Sequence, residues 1–111
     1  SVSAIPAAEA LALADLITPV ADGIASRVLA KAAGGTVTLF AFDRGQGLSE
    51  HTTPFDALVL VLDGELRLDV GGAAVVAAPG TVVRLPASVP HAVEARQASR
   101  MLLLMLKDAR P

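Results

Sequence analysis

From Ile24 onward the chain alternates between short apolar stretches and clusters of turn-forming residues. The turn signals are Gly34-Gly35, Gly45 to Gly47, Asp63-Gly64, Gly71-Gly72, Pro79-Gly80 and Pro86 to Pro90. Most are spaced at roughly eight to ten residues, the pattern of an all-β sandwich or barrel. Asp-Gly and Gly-Gly supply the positive φ angles of tight hairpins. The pattern predicts strands over Ile24–Ala32, Thr36–Phe42, Ala57–Leu62, Glu65–Val70, Ala73–Ala77, Thr81–Leu85, His91–Ala95 and Arg100–Lys107. Glu65–Val70 alternates cleanly and puts Leu66, Leu68 and Val70 on one inward face. Met101 and Met105 share a face of the last strand by the same period and read as core filler.

Two strands break the alternation. Ala57–Leu62 and Met101–Leu106 are each six consecutive apolar residues. Both faces of such strands need cover, one from the barrel interior and one from elsewhere. A second subunit is the simplest cover, so a homodimer is expected. The alternative is the chain's own N-terminal segment. That segment has a different pattern: Pro6 to Ile17 is rich in helix formers, with Pro at a plausible first helical position. It predicts a short helix or helical turn, ended at Thr18-Pro19 because the residue before Pro avoids helical angles.

Composition narrows the classes. A chain of 111 residues is a single domain, residues 1–111. With 53% hydrophobic and 18% charged residues, it is the opposite of a disordered composition. The net charge of −2 gives no electrostatic reason to bind nucleic acid, and the absence of Trp and Tyr with only three Phe leaves no base-stacking platform, so no nucleic-acid partner is expected. No apolar run approaches the roughly 20 residues that span a bilayer, so no membrane partner is expected. Glu9 and Asp15 bracket the apolar patch Ala10–Ala14, which argues against a signal peptide and for a cytoplasmic location. Without Cys there is no disulfide, thiolate metal site or cysteine nucleophile. Any metal would be held by His, carboxylate or water, which suits Fe, Mn, Ni, Cu or Zn.

Candidate chemistry centres on the only two histidines, His51 and His91. Gly45-x-Gly47 is not a phosphate loop, since no helix pattern and no suitably placed Lys follow it. Ser49 and Ser88 lack a nucleophile-elbow frame. Arg84, on the strand before Pro86, reads as part of a solvated face, with an anionic ligand as the alternative. Arg27, Arg67 and Arg96 read as surface charge.

Gly45, five residues, then His51, with Gly64 closing the stretch, forms one landmark; Gly80, Pro86 and His91 form another. On these residues the chain resembles the cupins, a family of small jelly-roll barrels, in its small single-domain bacterial form. That family's first motif is a Gly, five residues, His-x-His, three or four residues, Glu, six residues, Gly. Its second is a Gly, five residues, Pro-x-Gly, two residues, His, three residues, Asn. The matches cover residues 45–65 and 80–95 and imply an all-β cupin jelly roll preceded by a short helical segment.

The resemblance also implies a metal held by three His and one Glu, and here the chain departs from it. Thr53 stands in place of the second His, Ala57 of the Glu, Ser88 of a Gly and Ala95 of the Asn. His51 and His91 are the remaining candidate metal ligands. Asp56 and Glu50 neighbour inward positions, but adjacent strand residues face opposite ways, so only a bulge would turn either inward. Gln46 is a further candidate from the loop. Thr53 reads as a hydroxyl that bonds a water or ligand, or satisfies itself locally. Ser88 is expected to approach the barrel mouth.

The expected function is binding of a small molecule in a pocket around His51, Thr53, Ala57 and His91, with a depleted metal site. The alternative is a metal-dependent enzyme, a dioxygenase or isomerase by resemblance, with His51 and His91 holding a divalent transition metal. A metal-free variant uses one histidine as a general base.

Overall fold

A computed structural model describes residues 5–107. Nine strands follow one another: β1 Ile24–Ala32, β2 Gly35–Phe42, β3 Gly47–His51, β4 Asp56–Asp63, β5 Leu66–Val70, β6 Ala73–Ala77, β7 Val82–Leu85, β8 His91–Ala95 and β9 Ser99–Leu106. They form a five-stranded sheet in the order β1-β2-β9-β4-β7 and a four-stranded sheet in the order β3-β8-β5-β6. All strand pairings are antiparallel. The predicted strands are all present, with ends displaced by a residue or so. Among the described residues no helix is long and apolar enough to cross a membrane.

One strand, β3, is absent from the sequence reading. Its residues, Gly-Leu-Ser-Glu-His, show no apolar alternation, and only Leu48 is a large apolar side chain. Its pairing with β8 explains why. Leu48 faces Val93 and His51 faces His91, so two residues on β3, Ser49 and Glu50, oppose one on β8, Ala92. This is a β-bulge, which breaks the period of two.

The inward faces of the two sheets make the main core. Leu66, Leu68, Val59 and Met101 are fully buried, with Phe42, Val61, Ala57, Leu85 and Val93 packed among them. Met101 is core as expected, while Met105 is half-buried. The register gives this barrel two ends. β4 runs from Ala57, which pairs with Leu85 and Met105, to Val61, which pairs with Met101. After the Gly64 turn, β5 runs back from Leu66 to Val70, and Val70 pairs with His91. His91, Val70, Ala57 and Met105 therefore share one end, the mouth. Phe42, Leu66 and Ser99 share the closed end.

A smaller core lies outside the five-stranded sheet. Ile17, Leu29, Leu39 and Ala41 are buried there, with Leu13, Leu16, Leu62 and Leu102 against them. The N-terminal segment thus covers part of the outer face of β2, β4 and β9. It does so with little helix: among the described residues the segment's helical content is the single 3-10 turn Leu13–Leu16. No side chain caps that turn, and Ile17 is already extended. The helix former content of Pro6–Ile17 is overridden, because a short uncapped helix does not recover its nucleation cost. Leu13, Leu16 and Ile17 gain more by lying on the sheet. Arg27 fixes the segment by donating to the Leu16 carbonyl at 3.1 Å.

Candidate functional site at the barrel mouth

The bulge in β3 is what makes a site here. It brings His51 onto the same face as Leu48 and opposite His91. The two rings meet edge to face, with centroids 4.4 Å apart and planes at 70°. His91 is 4% exposed, whereas His51 is open to solvent.

The ring nitrogens are arranged in a specific way. His51 Nδ1 lies 2.8 Å from the Ser49 carbonyl, and His91 Nδ1 lies 3.1 Å from the Val89 carbonyl. A carbonyl oxygen only accepts, so each Nδ1 carries the proton. In the neutral rings both Nε2 atoms then present lone pairs. Those two Nε2 atoms face each other at 3.2 Å. Two acceptors at that distance do not bond one another. They are reconciled by a proton, a metal ion or a donor from a ligand.

The other expected pocket residues have different employment. Thr53 Oγ1 donates to the Phe55 carbonyl at 2.9 Å, so its hydroxyl is satisfied locally. Its backbone carbonyl accepts from Ser88 N at 2.7 Å and ties the two mouth loops together. Ala57 is buried in the core at the mouth end of β4. Ser88 occupies the left-handed region at φ 61°, a conformation that suits the glycine of the family motif. Gln46 spends its backbone groups on Asp43 and Ala95.

Asp56 faces away from the barrel interior and ties β4 to β7 and the loop after it from outside. Its carboxylate accepts from Ala87 N at 2.8 Å and from Arg84 at 3.0 Å. The Ala87 N–H holds its pKa below the usual carboxylate value; burial opposes this and Arg84 assists it. Arg84 is therefore ion-paired on an exposed face. Glu50 precedes His51 on the bulged strand and is exposed. Among the described residues no group of three or more His, Cys, Asp or Glu side chains is placed to hold a metal. Neither the cleft lined by Arg44, Arg67 and Arg96 nor the small pocket lined by Pro19, Phe42 and Arg100 includes either histidine.

The fold and site define a class: a two-sheet jelly-roll barrel with a histidine pair at its mouth. Residues 38–107 match the cupin domain, and the chain belongs to that family. It is similar in structure to a conserved protein of unknown function from Streptococcus pyogenes, with a TM-score of 0.88, 32% identity, and 94% of this chain and 91% of that one covered. A cupin superfamily protein from Desulfitobacterium hafniense gives a TM-score of 0.87 and 30% identity, over 94% of this chain and 95% of that one. A cupin 2 conserved barrel domain protein from Leptotrichia buccalis is 36% identical with a TM-score of 0.81, over 85% of this chain and 46% of that one. No curated protein matches the chain.

Proposed function

We propose that this cupin binds a small molecule at the barrel mouth, anchored on the paired Nε2 atoms of His51 and His91. The observation that carries this reading is the double Nδ1–H assignment. It leaves two lone pairs directed at one place, one of them on a buried ring. An ammonium group, or two hydroxyls of a polyol, entering from the open His51 side would donate to both. The reading includes a cytoplasmic location.

A second reading rests on the separation itself. Two nitrogens bound to one tetrahedral metal at about 2.0–2.1 Å lie about 3.3 Å apart, close to the 3.2 Å found here. The pair thus fits two ligand positions of a divalent transition metal. It does not fit the family's set of three His and one Glu, because Ala57 has no donor and the Thr53 hydroxyl is engaged. A metal held this way would supply Lewis acidity toward a ligand oxygen.

Elemental analysis of untagged protein, with His51→Ala and His91→Ala, separates the two. Stoichiometric metal that both variants lose establishes the second reading. No metal after incubation with Fe, Zn, Ni, Cu and Mn leaves the first. The first then requires that a panel of polyols and primary amines perturb both histidines; a panel that perturbs neither contradicts it.

We also propose a homodimer through the outer face of the five-stranded sheet. Leu58, Leu60 and Leu104 are half-buried there, and Val82 and Leu106 are 59% and 49% exposed. The N-terminal segment covers the neighbouring half of this face and leaves these residues for a second copy. Light scattering at micromolar concentration checks this, and a monomer contradicts it.

A further inference from the structure

A separate concavity lies away from the histidines. It is a cleft of about 410 Å³ lined by Arg44, Gly45, Arg67, Glu94, Ala95 and Arg96. We propose that this cleft binds a small dianion, a phosphate monoester or a dicarboxylate, through the guanidinium groups of Arg44, Arg67 and Arg96.

The register places the cleft on the opposite side of the four-stranded sheet from the histidine pair. Leu66, Leu68 and Val93 face the core, so Arg67 and Glu94, one residue out of phase, face outward. They are direct cross-strand partners, and the next residue in that row, Gly47, contributes no side chain. Arg44 enters from the β2–β3 loop and Arg96 from the β8–β9 loop. Three separate segments thus converge on one hollow.

Charge decides the ligand class. Three guanidinium groups and one carboxylate, Glu94, line the cleft, and Asp69 and Glu65 pair with Arg67 and Arg96 from its rim, so the guanidinium left without an ion pair among the described residues is that of Arg44. This occurs on a chain whose net charge is −2, so the concentration of cations is local. The existing partners are weak. Arg67 reaches Asp69 at 3.4 Å and Arg96 reaches Glu65 at 3.3 Å, both pairs solvent-exposed. Such pairs are readily exchanged for a better anion. The backbone donors around the cleft are already spent: Gly45 N on Ala95 O, Ala95 N on Gln46 O, Arg96 N on Glu65 O and Arg44 N on Asp43. Recognition must come from the arginine side chains, whose forked donors suit phosphate and carboxylate oxygens.

The test is titration of the full chain with inorganic phosphate and with succinate, followed by amide NMR and calorimetry at constant ionic strength. The proposal expects saturable one-to-one binding of at least one of them, with shifts confined to residues 44–46, 65–67 and 94–96. Phosphate alone identifies a phosphate ester as the natural ligand, and succinate alone a dicarboxylate. Arg44→Gln with Arg96→Gln should weaken binding by about tenfold or more, and Glu94→Gln should tighten it several-fold. All three positions are exposed, and unchanged thermal melting verifies that the variants fold. Shifts that do not saturate, shifts that chloride reproduces, or binding that the double variant retains would each overturn the proposal.

Discussion

The two ends of the barrel differ in how they treat polar groups. At the closed end, Ser99 is 3% exposed, and its hydroxyl accepts from Glu65 N at 3.0 Å while donating to the Gln97 carbonyl at 2.7 Å. Arg100 pairs with Asp63 at 2.8 Å just outside. At the mouth, two acceptor nitrogens point at each other. The closed end pairs the Ser99 hydroxyl and the Asp63 carboxylate, and its one buried polar side-chain atom without a partner among the described residues is Arg100 Nε. The mouth keeps two lone pairs in reserve, and a reserve of that kind is where a ligand or ion gains the most.

The sharpest way to break this contrast is at Gly64. It sits at φ 81°, and a Cβ there would collide with Ser99 Oγ and the Ala98 carbonyl. Gly64→Ala should destabilise the chain by about 3 kcal/mol, from left-handed strain plus overpacking. Denaturant unfolding measures this, and a loss near zero would mean that the closed end is not locked. Ser99→Ala leaves the Glu65 N–H unpartnered and should cost about 1–3 kcal/mol by the same measurement.

At the mouth the expected sign reverses. Ser88→Gly should raise stability by about 1 kcal/mol, because Gly enters the left-handed region without the Cβ penalty. A destabilised variant would show that the Ser88 side chain has a structural partner. The smallest effect is the acid response of Asp56. Its carboxylate pKa is lowered in the fold, chiefly by the Ala87 N–H. A lowered folded pKa gives stability that is present above the unfolded pKa and is lost as pH falls through the folded one. Asp56→Asn should therefore cost stability at neutral pH, and the gap to the parent should narrow below about pH 4. Thermal melts at both pH values check it, and a constant gap would remove the carboxylate from the mouth staple.

The sequence revealed the closed end better than the mouth. Leu66, Leu68 and Met101 fall inward by simple alternation, and Asp63-Gly64 announces its own turn, so periodicity suffices there. At the mouth the controlling feature is a bulge in Gly47–His51. It erases the alternation that would have marked β3, and it alone turns His51 toward His91. The parity argument correctly kept Asp56 out of the barrel, but nothing in the residue pattern points to its bond with Ala87 N. The N-terminal segment carries a helix-forming composition, yet packing on Leu39 and Ala41 outweighs that local preference. The arginine cleft is scattered over three segments of sequence and becomes visible only when the strands are paired.

The central claim is that both Nδ1 atoms carry protons and both Nε2 atoms are bare and convergent. Long-range proton–nitrogen NMR of the two histidines, recorded in neutral imidazole and then with one equivalent of Zn(II), tests it directly. The account predicts unprotonated Nε2 signals for His51 and His91 before addition, and any response to Zn(II) appearing at both together. A protonated Nε2 on either neutral ring, or a Zn(II) response at only one of them, would contradict it.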